Sequence, residues 1–381
     1  MRKQKSLIVL GCTGSIGRQT LAMVAQFGER FRVVGLAAYA NVGLLAQQAQ
    51  EWEVTSLAVA DPRAGAGLHL PGTQVYLGED GLCEMVRELR ADVVVAAISG
   101  GAGLVSMLAA LEVGSDVAFA NKEPMVAAGN LVTETALRHG SQLLPVDSEI
   151  SAIWQCLRGE DRTDIEKILL TASGGPLVDA DAATIAAVTP EQALAHPTWT
   201  MGPKVTVDSA TLMNKGFEIF EIKWLFGVSW EEIEVVVHRQ SLVHSAVQMR
   251  DGSLLAQMGP PDMRGPILFA LSYPERWASD LPRLDLPARG TLTFESPDVK
   301  RFPCLRLARE AGEAGASYPA ALSAADEVAV SAFLANQLPF AEIGSVIERT
   351  LEAHEPFPIL TAADAARATD QATAFARGLM K

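Results

Sequence analysis

Residues 6–17 read Ser6-Leu7-Ile8-Val9-Leu10-Gly11-Cys12-Thr13-Gly14-Ser15-Ile16-Gly17. A short apolar, strand-forming run passes directly into glycines spaced G-x-x-G-x-x-G, and a helical pattern follows from Arg18. A dinucleotide loop needs that order, because backbone N–H groups must approach a pyrophosphate at a helix N-terminus where side chains would obstruct. The plainer alternative is a tight strand-to-helix turn without a ligand. The position of the loop, straight after the first strand, favours a nucleotide site.

Outward from this loop the first half of the chain alternates short β-rich runs with helical stretches. Strands are predicted at Ser6–Leu10, Arg32–Ala38, Ser56–Ala60, Val93–Ile98, Asp116–Ala120 and Gln142–Val146. Helices are predicted at Arg18–Phe27, Val42–Trp52, Leu104–Val113 and Met125–His139. Such alternation implies an α/β fold with a Rossmann-like, doubly wound parallel sheet. A second α/β region begins near Ser148, with strands at Lys167–Thr171 and Ile233–His238. His238 and His244, an even number apart, are expected to share one face of a strand. Pro260-Pro261 and the prolines from Pro282 to Pro303 mark a connection. Beyond it, Ala325–Leu334, Ala341–His354 and Ala362–Leu379 have helical period, which implies a small C-terminal helical bundle. With 381 residues, too many for one core, the expected division is 1–147, 148–280, a linker at 281–300, and 301–381.

A formal net charge of -14 argues against nucleic acid or an anionic membrane as partner, while a local basic pocket for a phosphate stays open. Cys12, Cys83, Cys156 and Cys304 are scattered without metal-ligand spacing, as reduced cytoplasmic thiols would be. Behind the basic Met1-Arg2-Lys3-Gln4-Lys5 the apolar run Leu7–Leu10 is too short for a signal peptide. The uncharged run from Val93 to Leu111 is broken by Ser99-Gly100-Gly101-Ala102-Gly103 into a strand and a helix, so no membrane span is expected.

Two stretches carry the chemistry. From His196 to Glu221 the chain reads HPTWTMGPKVTVDSATLMNKGFEIFE. Asn214 and Glu218 stand at i, i+4 and Lys215 and Glu218 at i, i+3, so an amide, an ammonium and a carboxylate share one helical face. A site holding a phosphate beside a metal ion uses all three. A surface helix with one ion pair is the bland alternative. Upstream, an apolar strand ends in Asp147-Ser148-Glu149, where open parallel sheets gather their ligands. Asp147 and Ser148 would equally serve as a helix cap. Asp147, Glu149 and Glu218, with no paired Cys or His, form an oxygen-only set suited to Mg²⁺ or Mn²⁺ rather than zinc. Lys122, in Ala120-Asn121-Lys122-Glu123, ends another strand at the same sheet edge or is part of a polar turn before Pro124. The second strand ends at Ala38-Tyr39-Ala40-Asn41 without an acid for a ribose hydroxyl, which leans towards NADP over NAD.

With these pieces in order, the chain resembles the 1-deoxy-D-xylulose 5-phosphate reductoisomerase family from Gly11 to about Phe340. The resemblance rests on GCTGSIG at 11–17, ANKE at 120–123, PVDSE at 145–149, LTASGGP at 170–176, HPTWTMG at 196–202, VDSATLMNKGFE at 207–218 and GPPDMR at 259–264. It implies a homodimeric, NADPH- and metal-dependent enzyme that rearranges and reduces a small sugar phosphate. It further implies that Thr13, Gly14, Ser15, Ile16, Asn41, Asn121, Glu123 and Gly202 hold the cofactor, and that Asp147, Glu149 and Glu218 hold the cation. Ser173, Ser209, Asn214 and Lys215 would take the phosphate, with Lys122, Ser148, Glu149, His196 and Glu218 on the rest of the substrate. Trp199 would cover it from a lid, and Lys122, Asp147, Glu149, His196 and Glu218 would be the catalytic set.

The chain departs from the family pattern in four places. Tyr39 and Ala40 stand where a glycine and a basic residue are common. Ile150-Ser151 replaces a His-Asn pair, Arg239 replaces a proline, and Asp326 replaces the more frequent asparagine. Two rival readings ask for different residues. A semialdehyde-type dehydrogenase would need an activated cysteine, which nothing in the sequence demands. A nucleotide sensor would have no use for three carboxylates beside Lys122 and Lys215.

Overall fold

The computed structural model describes residues 4–98 and 100–380; Met1–Lys3, Ser99 in the glycine-rich break, and Lys381 lie outside the described residues. Contacts divide the chain into two compact units. One comprises residues up to 124 with 132–151 and 262–281; the other comprises 125–131, 152–261 and 282 onward.

The first unit is built on seven strands, β1 (Lys5–Leu10), β2 (Phe31–Ala38), β3 (Ser56–Val59), β4 (Gln74–Leu77), β5 (Val93–Ala96), β6 (Asp116–Phe119) and β7 (Leu143–Pro145). Their spatial order is β4-β3-β2-β1-β5-β6-β7, and every pairing is parallel. Parallel strands covered on both faces read as unbroken apolar runs. Ile8, Val9, Leu10 and Val93–Ala96 are accordingly buried. The order reverses between β1 and β5, which puts the topological switch point at the carboxyl end of β1. Helices Ser15–Gln26, Val42–Glu51, Gly78–Leu89, Gly103–Glu112 and Glu123–His139 connect the strands. The five strands predicted from Arg32 to Val146 and the first at Ser6 are all present.

The structure adds to the expected elements. Strand β4 is only QVYL at the sheet edge, and helix Gly78–Leu89 hides Leu82, Cys83, Met85 and Val86 behind a charged face. Residues 262–281 return to this unit: Trp277 packs on Phe27 and Phe31, with ring centroids 5.2 and 5.4 Å apart.

The second unit carries a mixed sheet of β8 (Ile165–Ala172), β9 (Ile233–Val237), β10 (Val243–Met249) and β11 (Leu254–Met258) in the order β11-β10-β8-β9. β8 and β9 are parallel, while β10 runs antiparallel to both β8 and β11. His238 and His244 therefore do not share a strand. β9 ends at Val237 and β10 begins at Val243, so the period-2 argument does not apply across the turn between them.

Helices Cys304–Ala314, Tyr318–Leu334, Ile343–Ala353 and Ala362–Gly378 complete this unit, with Tyr318–Leu334 packed on the other three. Small side chains permit that closeness: Ala321, Ala324 and Ala372 form a buried cluster. The proline-rich stretch includes Glu295, which pairs with Val237 as an antiparallel bridge. Among the described residues no helix is long and apolar enough to cross a membrane; 93–111 resolves into β5 and helix Gly103–Glu112.

Candidate active site

In the first unit the predicted residues sit at the carboxyl edge of the sheet. Gly11 leaves β1 at φ +84°, and a Cβ there would lie 2.3 Å from the Ala97 carbonyl oxygen; one on Gly17 would lie 2.3 Å from the Gly11 oxygen. Both glycines are demanded by closure of the turn. Gly14 is different, since its Cβ would meet only the Gly11 oxygen at 3.3 Å. Gly14 caps helix Ser15–Gln26, no side chain caps that helix, and no acid stands in its first turn. The Gly14 N–H closes the turn on the Gly11 carbonyl at 3.0 Å, and the first turn of the helix from Ser15 leaves its positive dipole end for an anion. At the end of β2, Asn41 caps helix Val42–Glu51 by accepting from the Leu44 N–H at 3.2 Å, and Tyr39 is exposed.

Beyond β6, Asn121 donates to the Gly100 carbonyl at 2.8 Å and accepts from the Glu123 N–H at 3.2 Å. Lys122 pairs with Asp147 beyond β7, and both are buried. The Asp147 carboxylate also accepts from the N–H groups of Glu149 and Ile150, at 3.1 and 3.3 Å. The cap reading and the functional reading of Asp147 therefore coexist: one oxygen starts the helix, the other meets Lys122. Ser148 donates to Glu149. Ile150, where the family pattern has a histidine, is fully buried.

In the second unit β8 delivers Ser173. Gly174 and Gly175 follow at φ +85° and +70°, and a Cβ on Gly175 would lie 2.5 Å from the Ser209 carbonyl oxygen. Two left-handed glycines thus let the Ser173 loop close against the helix of Ser209 (Pro203–Thr211).

His196 Nδ1 accepts from the N–H groups of Thr198 and Trp199 at 3.1 and 3.0 Å, and Nε2 lies 2.9 Å from Ser173 Oγ. With Nδ1 an acceptor, the hydrogen-bond network assigns the ring proton to Nε2, which donates to Ser173. Ser173 Oγ also accepts from the Gly175 N–H at 3.3 Å, so its own hydroxyl proton is directed to a further acceptor. Burial first, and the Lys215 charge second, lower the His196 pKa below its ordinary 6.5. Trp199 lies over His244, centroids 6.2 Å apart. Gly202 caps helix Pro203–Thr211.

Helix Met213–Phe226 brings the Asn-Lys-Glu set together as its spacing predicted. Asn214 Nδ2 and Lys215 Nζ each donate at 2.6 Å to a different oxygen of Glu218, which is fully buried. Gly216, by propensity alone, weakens this helix. Its actual reason is packing: a Cβ there would come within 2.6 Å of Ala308 Cβ.

Lys204 belongs to no motif assigned above, and its only signal in the sequence is the i, i+4 spacing to Asp208. The thiols offer no nucleophile. Burial pushes Cys12 up to about 12, Cys83 and Cys156 to about 11, and Cys304 higher still. None of the four is the activated thiol that a cysteine-dependent dehydrogenase needs.

A glycine loop at the switch point of a parallel sheet, joined to a unit with a buried Lys–Glu pair beside Ser and Asn, defines a dinucleotide-dependent oxidoreductase with a separate substrate unit. The 1-deoxy-D-xylulose 5-phosphate reductoisomerases of Moorella thermoacetica and Pelotomaculum thermopropionicum are each 50% identical to the chain. The first covers 98% of this chain and 99% of the relative, the second 92% of each. The chain belongs to the 1-deoxy-D-xylulose 5-phosphate reductoisomerase family. The family model of that name matches residues 7–129, that of its C-terminal domain residues 143–226, and one described as DXP reductoisomerase C-terminal domain residues 258–375.

Among solved structures, the Zymomonas mobilis enzyme in complex with NADPH superposes with a TM-score of 0.91 at 40% identity over 100% of both chains. A DOX-P reductoisomerase in complex with NADPH, fosmidomycin and magnesium gives 0.91 at 38% identity, covering 99% of this chain and 98% of the other.

Proposed function

We propose that this protein isomerises 1-deoxy-D-xylulose 5-phosphate and reduces the branched aldehyde with NADPH to 2-C-methyl-D-erythritol 4-phosphate, a metal-dependent step towards isoprenoid precursors. The observation that carries the reading is the helical turn in which Asn214 and Lys215 each donate to the buried Glu218, a few residues beyond Ser209. Ser173, Ser209, Asn214 and Lys215 hold the phosphate. They supply binding energy remote from the reacting atoms and fix where those atoms lie. Lys122, Ser148 and His196 contact the remainder of the substrate, and the 196–202 segment with Trp199 closes over it to exclude water.

Thr13, Gly14, Ser15, Ile16, Asn41, Asn121, Glu123 and Gly202 bind NADPH. Asp147, Glu149 and Glu218 hold Mg²⁺ or Mn²⁺, and an all-carboxylate donor set fits those ions. When bound, NADPH supplies a hydride and the cation polarises the substrate carbonyl and its neighbouring hydroxyl. Lys122 orients Asp147, and Ser173, with both acceptor positions taken by His196 and Gly175, turns its proton towards a phosphate oxygen.

The assembly is a homodimer in the cytoplasm. Edge strand β11, with Leu254 53% exposed, and four free thiols support that reading. The decisive experiment is NADPH absorbance decay on adding 1-deoxy-D-xylulose 5-phosphate, with and without Mg²⁺ or Mn²⁺. No decay at any metal concentration would refute the assignment.

A further inference from the structure

Lys204, which no motif assigned, joins three elements of the second unit at one ammonium. Its Nζ lies 2.6 Å from Asp208 Oδ2 on its own helix and 2.7 Å from Asp326 Oδ2 on helix Tyr318–Leu334. It also stands 4.8 Å from the ring centroid of Phe217 on helix Met213–Phe226. Both aspartates are buried, at 2% and 0% exposure.

The junction between the first and third of these helices is Leu212, at φ +63° and ψ +10°. A left-handed leucine costs about 1–2 kcal/mol and persists only where its surroundings over-determine it. Ser209 stands three residues before that junction and Asn214 two after it, so the junction's angle sets how their donors converge.

Consecutive helical residues point about 100° apart. Pulling Asp208 onto Lys204 therefore turns the neighbouring Ser209 to another face. Lys204 also ties the helix beyond Leu212 through Phe217, and anchors both to the C-terminal helices through Asp326. A charge-assisted bond to a carboxylate is shorter and stronger than one to an amide. Asp326, in place of the more frequent asparagine, makes this anchor firmer here.

We propose that Lys204 is a positioning residue: by clamping Asp208, Phe217 and Asp326 around the left-handed Leu212 it sets the convergence of Ser209, Asn214 and Lys215 on a phosphate group. This rests on reading those three residues as the phosphate site.

The test uses the full-length protein and inorganic phosphate as probe. Phosphate affinity is measured by calorimetry beside KM and kcat for 1-deoxy-D-xylulose 5-phosphate and the Kd of NADPH. For Lys204→Met, phosphate affinity should fall about tenfold or more and KM rise in parallel, the size of one lost charged hydrogen bond. kcat and NADPH affinity should stay within about threefold, the split expected for a lost binding interaction. Lys204→Arg should recover most of the affinity, and Asp326→Asn should fall between wild type and Lys204→Met.

Unchanged phosphate affinity in folded Lys204→Met overturns the proposal, and so does loss of NADPH and phosphate affinity in equal measure, which would mean general destabilisation. If Lys204→Met does not fold, Asp326→Asn decides: unchanged phosphate affinity overturns the proposal, and a partial loss supports it. Phosphate binding that depends on Lys204 in a wild-type protein without turnover supports this inference while sinking the functional reading.

Discussion

Lys215 Nζ lies 2.6 Å from Glu218 Oε2 within a single helical turn, and both side chains are buried. Two groups assigned to different partners, one to a phosphate and one to a cation, thus hold each other in place. A buried pair of this kind is weak evidence for stability, because desolvation consumes much of the attraction. Its position next to Asn214 gives it a functional reason.

Glu218→Gln keeps the shape but removes the charge and replaces one of the two oxygens that accept from Asn214 and Lys215 with an NH2 donor. We expect turnover to fall by about three orders of magnitude, the several kcal/mol that cation polarisation supplies, with NADPH affinity nearly unchanged. NADPH titration beside steady-state rates at several Mg²⁺ and Mn²⁺ concentrations checks this. Near-normal activity throughout would remove Glu218 from the metal site.

Lys215→Ala should weaken binding of intact substrate by about 1.5–3 kcal/mol, the worth of a hydrogen bond to a charged group. A dephosphorylated analogue should lose much less. Equal losses on both would take Lys215 out of the phosphate clamp.

Gly216→Ala sets two effects against each other. Alanine gains about 1 kcal/mol of helix propensity over glycine, whereas forcing a methyl into a packed contact costs about 1–3 kcal/mol. With the new carbon 2.6 Å from Ala308 Cβ, and that atom on a helix rather than at the end of a flexible chain, the clash wins. Urea unfolding should show net destabilisation; a stabilised variant would mean that helix Cys304–Ala314 yields easily.

The His196 pKa is lowered by burial and by Lys215, so the folded protein favours the neutral ring. The unfolded chain takes up the proton first, near 6.5. The contribution of His196 to stability is therefore full above that pH and is lost as pH falls from there towards the lower folded value. Protonation at Nδ1 would also set an N–H against the Thr198 and Trp199 donors and open the turn. We expect KM to rise on the acid side of that window. In His196→Asn, whose amide oxygen can still accept from those donors, the rise should be absent. An identical acid limb in the variant would assign the effect to another group.

Ala40→Arg should raise the ratio of NADPH to NADH efficiency by tightening NADPH alone, since a 2′-phosphate gains a charge-assisted bond that NADH cannot form. The comparison is made at fixed ionic strength, because an exposed contact is screened by salt. An unchanged ratio in an active variant would place the 2′-phosphate elsewhere.

Features that depend on neighbours along the chain could be read without any structure. The strand–glycine–helix passage at Ser6–Gly17 is one, because turn closure and helix start are local events. The Asn214–Lys215–Glu218 face is another, because helical spacing alone brings those side chains together. The parallel character of the first sheet followed from apolar runs alternating with helices. Its order, with the edge strand β4 four residues long, did not, because strand partners are chosen by burial of whole faces.

Other features came only with the packed structure. Propensity alone makes Gly216 a weak point of its helix, and only the approach of Ala308 gives the reason for it. His238 and His244 looked like one strand until the break at Val237 placed them on either side of a turn. Leu212 gives no sign in sequence of its left-handed backbone, and Lys204 meets Asp326 across 122 positions of chain. Local periodicity carries no information about such pairs. They form because folding closes those distances to bury charge against charge and small residues against one another, and the energy that favours them exists only once the helices have packed.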